Sequence, residues 1–220
     1  MVVRFLTYPL VFLSIALSVS LVPSVTDTVM RTWKVYLPLL SGMGAYIIMG
    51  FIPFLSKNRE HLRTLSHEFT HWLVGICFFH KIHALNVQGE TGYVSHSGGR
   101  FGDMFIGLSP YCIPVFTVLL LFLRMIIIPG AMVGFDVAVG LTLAFHIGCF
   151  ATQMGIHQTD ITERGIFKSY VFIIAVWLFF ALLILLTIRY NLFEAVEYIF
   201  KGYWHNLETF YKFMLGLFAK

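Results

Sequence analysis

Apolar residues fill this chain in blocks about as long as a hydrocarbon core is thick, roughly 20 helical residues each, and polar residues gather in the short breaks between them. The first block, Phe5 to about Val25, follows Arg4. It is long and has no clear small-x-small cleavage site, so it predicts a retained span, not a signal peptide. A second block runs from Val35 to Leu55, with Gly42, Gly44 and Gly50 allowing close helix approach. Lys57, Arg59 and Arg63 then mark a polar loop that the positive-inside tendency places in the cytoplasm. A third helix is expected from about Leu62 to Phe79. A fourth block, Met104 to Ile128, is interrupted by Pro110 and Pro114 and closed by Pro129-Gly130. The fifth, about Met132 to Met154, contains Asp136 and His146, and the sixth runs from Ile166 to Ile188.

Two segments follow other patterns. From Ile82 to Arg100, glycines at 89, 92, 98 and 99 alternate with β-branched and aromatic residues, predicting a β-hairpin with strands near Ala84 to Gln88 and Tyr93 to Ser97. From Asn191 onward apolar residues recur at helical spacing, and Glu197 with Lys201 and Glu208 with Lys212 add support four residues apart. That tail reads as an amphipathic helix on the membrane surface or packed on the bundle. The expected fold is therefore all-α and polytopic, with about six transmembrane helices, a hairpin after the third and a C-terminal amphipathic helix. Residues 1–190 form the membrane domain and 191–220 the interfacial helix; no internal repeat or linker divides them.

Composition agrees with a place in lipid. The 220 residues are 58% hydrophobic and 12% charged, with mean hydropathy +0.82, against about 25% charged in a soluble domain. The net charge of +4 is spread over the loops and the tail, without the density of a nucleic-acid surface. Cys77, Cys112 and Cys149 lie far apart in apolar runs and read as packing residues. A multi-pass position, taken as a prokaryotic cytoplasmic membrane, is the expected localisation.

The residues that carry chemistry are His67-Glu68-Phe69-Thr70-His71. On a helix, histidines four apart face the same way and can hold one metal ion, with Glu68 beside them to act on water there. Leu62, Leu65, Phe69, Trp72 and Ile76 form an apolar side of this helix, and His61, Thr64, Glu68, His71 and Gly75 a polar or small one. A glutamate within a membrane helix is expensive unless something uses it. The bland alternative pairs Glu68 with Arg63 or Lys81.

With this motif, the glycine-rich β segment right after it and a downstream aspartate at a polar break, the chain resembles the site-2 protease family of intramembrane zinc metalloproteases, distantly and without a PDZ domain. The resemblance covers roughly Ser56 to Tyr190. It implies a Zn²⁺ cofactor held by His67, His71 and Asp160, with Glu68 as general base and a hairpin that pairs with extended substrate near Val87 and Val94. The family's Asn-Pro stretch and Asp-Gly pair are absent, since Asp160 is followed by Ile161. Helix counting separates Asp160 from the histidines unless Gly155 to Thr159 is unwound, and it favours Asp136 by depth. His146 and His157 remain further candidate ligands, because imidazole also suits zinc. For His157, with Gln158, the better role is that of a hydrogen-bond donor near the reacting group.

The expected activity is hydrolysis of peptide bonds in a transmembrane protein or peptide substrate, with membrane lipid as the surroundings. A membrane-embedded zinc hydrolase of a lipid or small amide would use the same set of residues without the hairpin. A non-catalytic transporter or assembly protein would leave the motif unused.

Overall fold

The computed structural model describes residues 2–52, 58–89, 91–98 and 102–218. Among these the chain is mostly helical, with one two-stranded sheet. The helices are α1 (Val2–Arg31), α2 (Leu37–Met49), α3 (Arg59–Cys77), α4 (Asp103–Cys112), α5 (Val115–Arg124), α6 (Met132–Gln153), α7 (Thr159–Thr162), α8 (Ile166–Arg189) and α9 (Leu192–Phe218). Strands β1 (Lys81–Gln88) and β2 (Thr91–Ser97) lie between α3 and α4.

Three helical stretches are long and apolar enough to cross a membrane, Pro9–Arg31, Pro129–Gln153 and Ile166–Arg189, and α4 with α5 makes a fourth if that pair is one span bent by 86°. The bend falls at Pro114, whose ring and missing N–H break the helical ladder. The second apolar block yields only the 13 residues of α2, about 20 Å at 1.5 Å per residue. Residues 53–57, which close that block, lie outside the described residues.

Small residues decide how α2 meets α6. A Cβ on Gly42 would strike the Val137 carbonyl, and one on Gly140 the Leu39 carbonyl, so the two backbones are in direct contact. One apolar cluster, including Leu21, Val25, Leu39, Val139, Leu186 and Ile199, joins α1, α2, α6, α8 and α9. A second, with Leu108, Tyr111, Cys112, Ile161, Phe172 and Ile173, joins α4, α7 and α8 and forms the floor of the site. The tail is one helix, started by a reciprocal cap in which Asn191 Oδ1 accepts from the Glu194 N–H (2.9 Å) and Glu194 Oε2 from the Asn191 N–H (3.1 Å). Its first half is packed, with Ala195 and Ile199 fully buried, and Tyr203 meets Ser18 across α1 at 2.6 Å. From Leu207 on it is almost wholly exposed.

Helix α3 is turned inside out relative to a helix on a water-soluble protein. Arg63, Thr64, Ser66, Glu68 and Thr70 are buried, whereas Leu62, Leu65 and Ile76 are exposed. Its polar face therefore looks into the molecule, towards β2 and α4, and its apolar face looks out.

The chain leaves α3 by a tight reversal. Phe79 takes the left-handed conformation (φ 60°), and the N–H groups of Phe79 and His80 bond to the carbonyls of Ile76 and Gly75 (both 2.9 Å), the paired bonds of a Schellman turn. β1 starts at once and pairs antiparallel with β2, with Leu85 opposite Val94 and Val87 opposite Gly92. β1 thus begins three residues before the expected strand.

Candidate metal centre

Residues four apart on an α-helix differ by about 40° around its axis, so α3 presents His67 and His71 side by side, their ring centroids 4.8 Å apart. Asp160 comes to meet them from another element. α6 ends at Gln153, residues 154–158 are not helical, and the chain re-enters a single turn, α7. The residue after Asp160 anchors that turn, since Ile161 is fully buried and its carbonyl accepts from Ser169 Oγ (3.2 Å).

The result is a convergence of three donor atoms. Asp160 Oδ2 lies 3.4 Å from Nε2 of His67 and 3.4 Å from Nε2 of His71, and one ligand atom from each residue lies within 4.8 Å of the other two. Ligands held at about 2.0–2.1 Å in a tetrahedral site stand roughly 3.4 Å apart; the two nitrogen–oxygen distances match that, and the nitrogen–nitrogen–oxygen set is one that suits zinc.

Helix α4 settles the tautomer of His71. Nδ1 lies 2.7 Å from the Ile106 carbonyl, which can only accept, so Nδ1 carries the hydrogen and Nε2 is the free donor atom. That carbonyl is available for a reason written in the sequence: the residue four positions on is Pro110, which has no N–H to return the helical bond. Ser109 Oγ supplies its second partner at 2.8 Å.

Around Asp160 the two oxygens have different neighbours. The Tyr111 hydroxyl is 3.3 Å from Oδ2, while Arg164 Nη1 is 3.8 Å from Oδ1 and donates to the Asp160 carbonyl at 3.0 Å. The Arg164 guanidinium fits only because Gly107 has no Cβ for it to strike. Burial opposes charge on Asp160, but when His67 and His71 are protonated their hydrogen bonds and positive charge outweigh it and hold the carboxyl well below the usual carboxylate range.

The triad opens into a cavity of about 600 Å³ whose walls also include Glu68, Thr64, Gln153, Gln158, Arg164 and residues 91–94 of β2. Glu68 is 8% exposed. β2 lies directly on it, since a Cβ at Gly92 would come within 2.6 Å of Glu68 Cγ. The bland pairings of Glu68 are not made: Arg63 is taken by Glu60, and Lys81 is exposed at the start of β1.

Of the other candidates, Asp136 is bound on both oxygens by Arg124 (2.7 and 3.3 Å), away from the triad. His146 is buried against Trp177 with no partner for Nε2, and it too stays apart. His157 is exposed and does not line the cavity, whereas its neighbour Gln158 does. Val94 on β2 lines it, and Val87 on β1 does not. His80 and His96 brace the base of the hairpin through their Nδ1 atoms (3.0 Å), and His83 reaches Ser97 Oγ (2.6 Å).

Sequence reasoning missed Tyr111, Arg164 and the Ile106 carbonyl. Only the last had a signal, in Pro110. Comparison of the chain with family models, with curated proteins and with solved structures finds no match.

Proposed function

We propose that this chain is a zinc-dependent membrane protease, distantly akin to the site-2 proteases, that hydrolyses peptide bonds of membrane-embedded protein substrates. The observation that carries the reading is the meeting of two imidazole nitrogens and one carboxylate oxygen beside Glu68 in a polar cavity. Every other feature is secondary to it.

In this reading His67, His71 and Asp160 would hold the ion, and the cavity beside them would give water access to it. Bound there, zinc supplies Lewis acidity and brings the pKa of water to about 7. Glu68 takes the proton of the attacking water and later returns it to the leaving amine, helped by burial that keeps its carboxylate from being solvated elsewhere. Arg164 and Gln158 face the same space and orient the carbonyl under attack.

Substrate is held by β2. Among the described residues the sheet has two strands and the far edge of β2 carries no partner, and residues 91–94 of that edge line the cavity, so an extended peptide can add there as a third strand by main-chain hydrogen bonds. Val94 belongs to this docking edge, and Val87 supports it from the strand behind. Six crossings, with α2, α3 and the bent α4–α5 pair joining the three long apolar helices, complete the arrangement, and the inside-out face of α3 favours it.

The test is zinc content and cleavage of a membrane-embedded substrate by purified wild type, His67→Ala and Glu68→Gln. The amide keeps the size of Glu68 but cannot take the proton, so Glu68→Gln should retain zinc and lose about 10²–10⁴-fold in turnover. His67→Ala should lose both. Undiminished cleavage by Glu68→Gln would sink the mechanism.

A further inference from the structure

We infer that Tyr111 is a positioning residue, whose hydroxyl holds the Asp160 carboxylate with one chosen oxygen towards His67 and His71. The inference rests on the reading of the triad as a zinc site. Tyr111 lies at the end of α4 in the apolar floor of the site and is 1% exposed. A tyrosine hydroxyl in such a place needs a partner. The partner is Asp160 Oδ2, at 3.3 Å, the same oxygen that stands 3.4 Å from both imidazole nitrogens.

The rest of the residue is clamped. Its ring meets His67 edge-on, with centroids 5.2 Å apart at 82°, and its carbonyl accepts from Trp177 Nε1 at 3.0 Å. It does not line the cavity, so it has no access to substrate, and its hydroxyl acts through Asp160. A carboxylate oxygen has two lone-pair directions; with Tyr111 on one of them, the other is left for the ion. With Arg164 near Oδ1, the group is also kept from turning to offer both oxygens. Partners that orient a metal ligand are typically worth 10–100-fold in metal affinity.

The experiment is a zinc titration against a competing chelator on the full-length chain, for wild type, Tyr111→Phe, Asp160→Ala and the double variant. Tyr111→Phe keeps the buried ring. It should weaken zinc binding about 10–100-fold, shift the visible absorption of the cobalt(II)-loaded protein, and leave the thermal unfolding of the metal-free protein unchanged. In the Asp160→Ala background it should cost nothing further, because the route of its effect is gone. Wild-type affinity in Tyr111→Phe, or an equal loss with and without Asp160, overturns the inference. A wild-type chain that takes up no zinc overturns it together with the zinc reading, and the first titration alone separates that case.

Discussion

Asp136 and Asp160 are both carboxylates in a largely apolar chain, and they have opposite surroundings. Asp136 is 5% exposed, and both of its oxygens are taken by Arg124, which also donates to the carbonyls of Ile188 and Tyr190 at the end of α8. Its charge is spent on joining α5, α6 and α8. Asp160 has no comparable ion pair on Oδ2; that oxygen faces two imidazoles and an open cavity. Charge of the partner and access separate the two, because an anion beside a permanent guanidinium is already neutralised, whereas one beside imidazoles, which give up their protons to ligate a metal, still attracts a cation.

The sharpest way to break this comparison is to remove each in turn. Asp160→Ala should leave the purified protein with substoichiometric zinc, its affinity weakened by more than the roughly 100-fold that an outer partner costs but still measurable by titration, and activity should fall with it. Asp136→Ala should keep zinc near the wild-type level, by metal analysis of the purified protein. Full zinc occupancy in Asp160→Ala would exchange the two roles.

The next effect belongs to Asp136. Its removal strands the Arg124 charge, which should lower stability by about 3–5 kcal/mol, and replacing both members by apolar residues should recover most of that loss. Thermal unfolding of Asp136→Ala, and of Asp136→Leu with Arg124→Met, reads both. An Asp136→Ala variant as stable as wild type would show that the pair joins nothing.

A smaller and more local effect is expected on the site side of the comparison. Adjacent amides in a strand face opposite edges, so of Tyr93→Pro and Val94→Pro only one removes a donor from the free edge of β2. That variant should keep zinc and fold and lose cleavage, while the other loosens the pairing with β1. Normal cleavage by zinc-loaded forms of both would exclude strand addition. The mildest change is Gly92→Ala, whose methyl displaces Glu68 and should lower turnover about tenfold, short of the ~100-fold that a 1 Å misplacement can reach; unchanged turnover would mean that Glu68 has room to spare.

Much of this could be seen in the residues, and the failures have physical causes. His67, Glu68 and His71 were visible because a four-residue spacing survives any rearrangement of the helix that carries it. Asp160 was not visible from helix counting, which extends each apolar run as a straight rod; the non-helical residues 154–158 return the chain, and only Gly155 hints at the break. The second apolar block looked like a full span, yet its described helix stops at Met49. Tyr111 was hidden by its neighbours, since a tyrosine between Pro110 and Cys112 in an apolar run looks like ordinary packing. Pro110 reads in the sequence as an interruption and not as the release of a carbonyl.

That released carbonyl bears on how the site is loaded. With no N–H at position 110, the Ile106 oxygen would keep only Ser109 Oγ whenever His71 turned away, so its second lone pair favours one orientation and one tautomer of the ring. If the triad takes zinc as proposed, the metal-free protein is in this sense preorganised: capture would require neither a ring flip nor a tautomer change, and the rotational entropy of His71 is surrendered during folding. A residue that weakens a helix by about 3 kcal/mol thereby shifts an ordering cost from the binding step to the folding step, and the ion should meet a site whose association rate is limited by its arrival and dehydration.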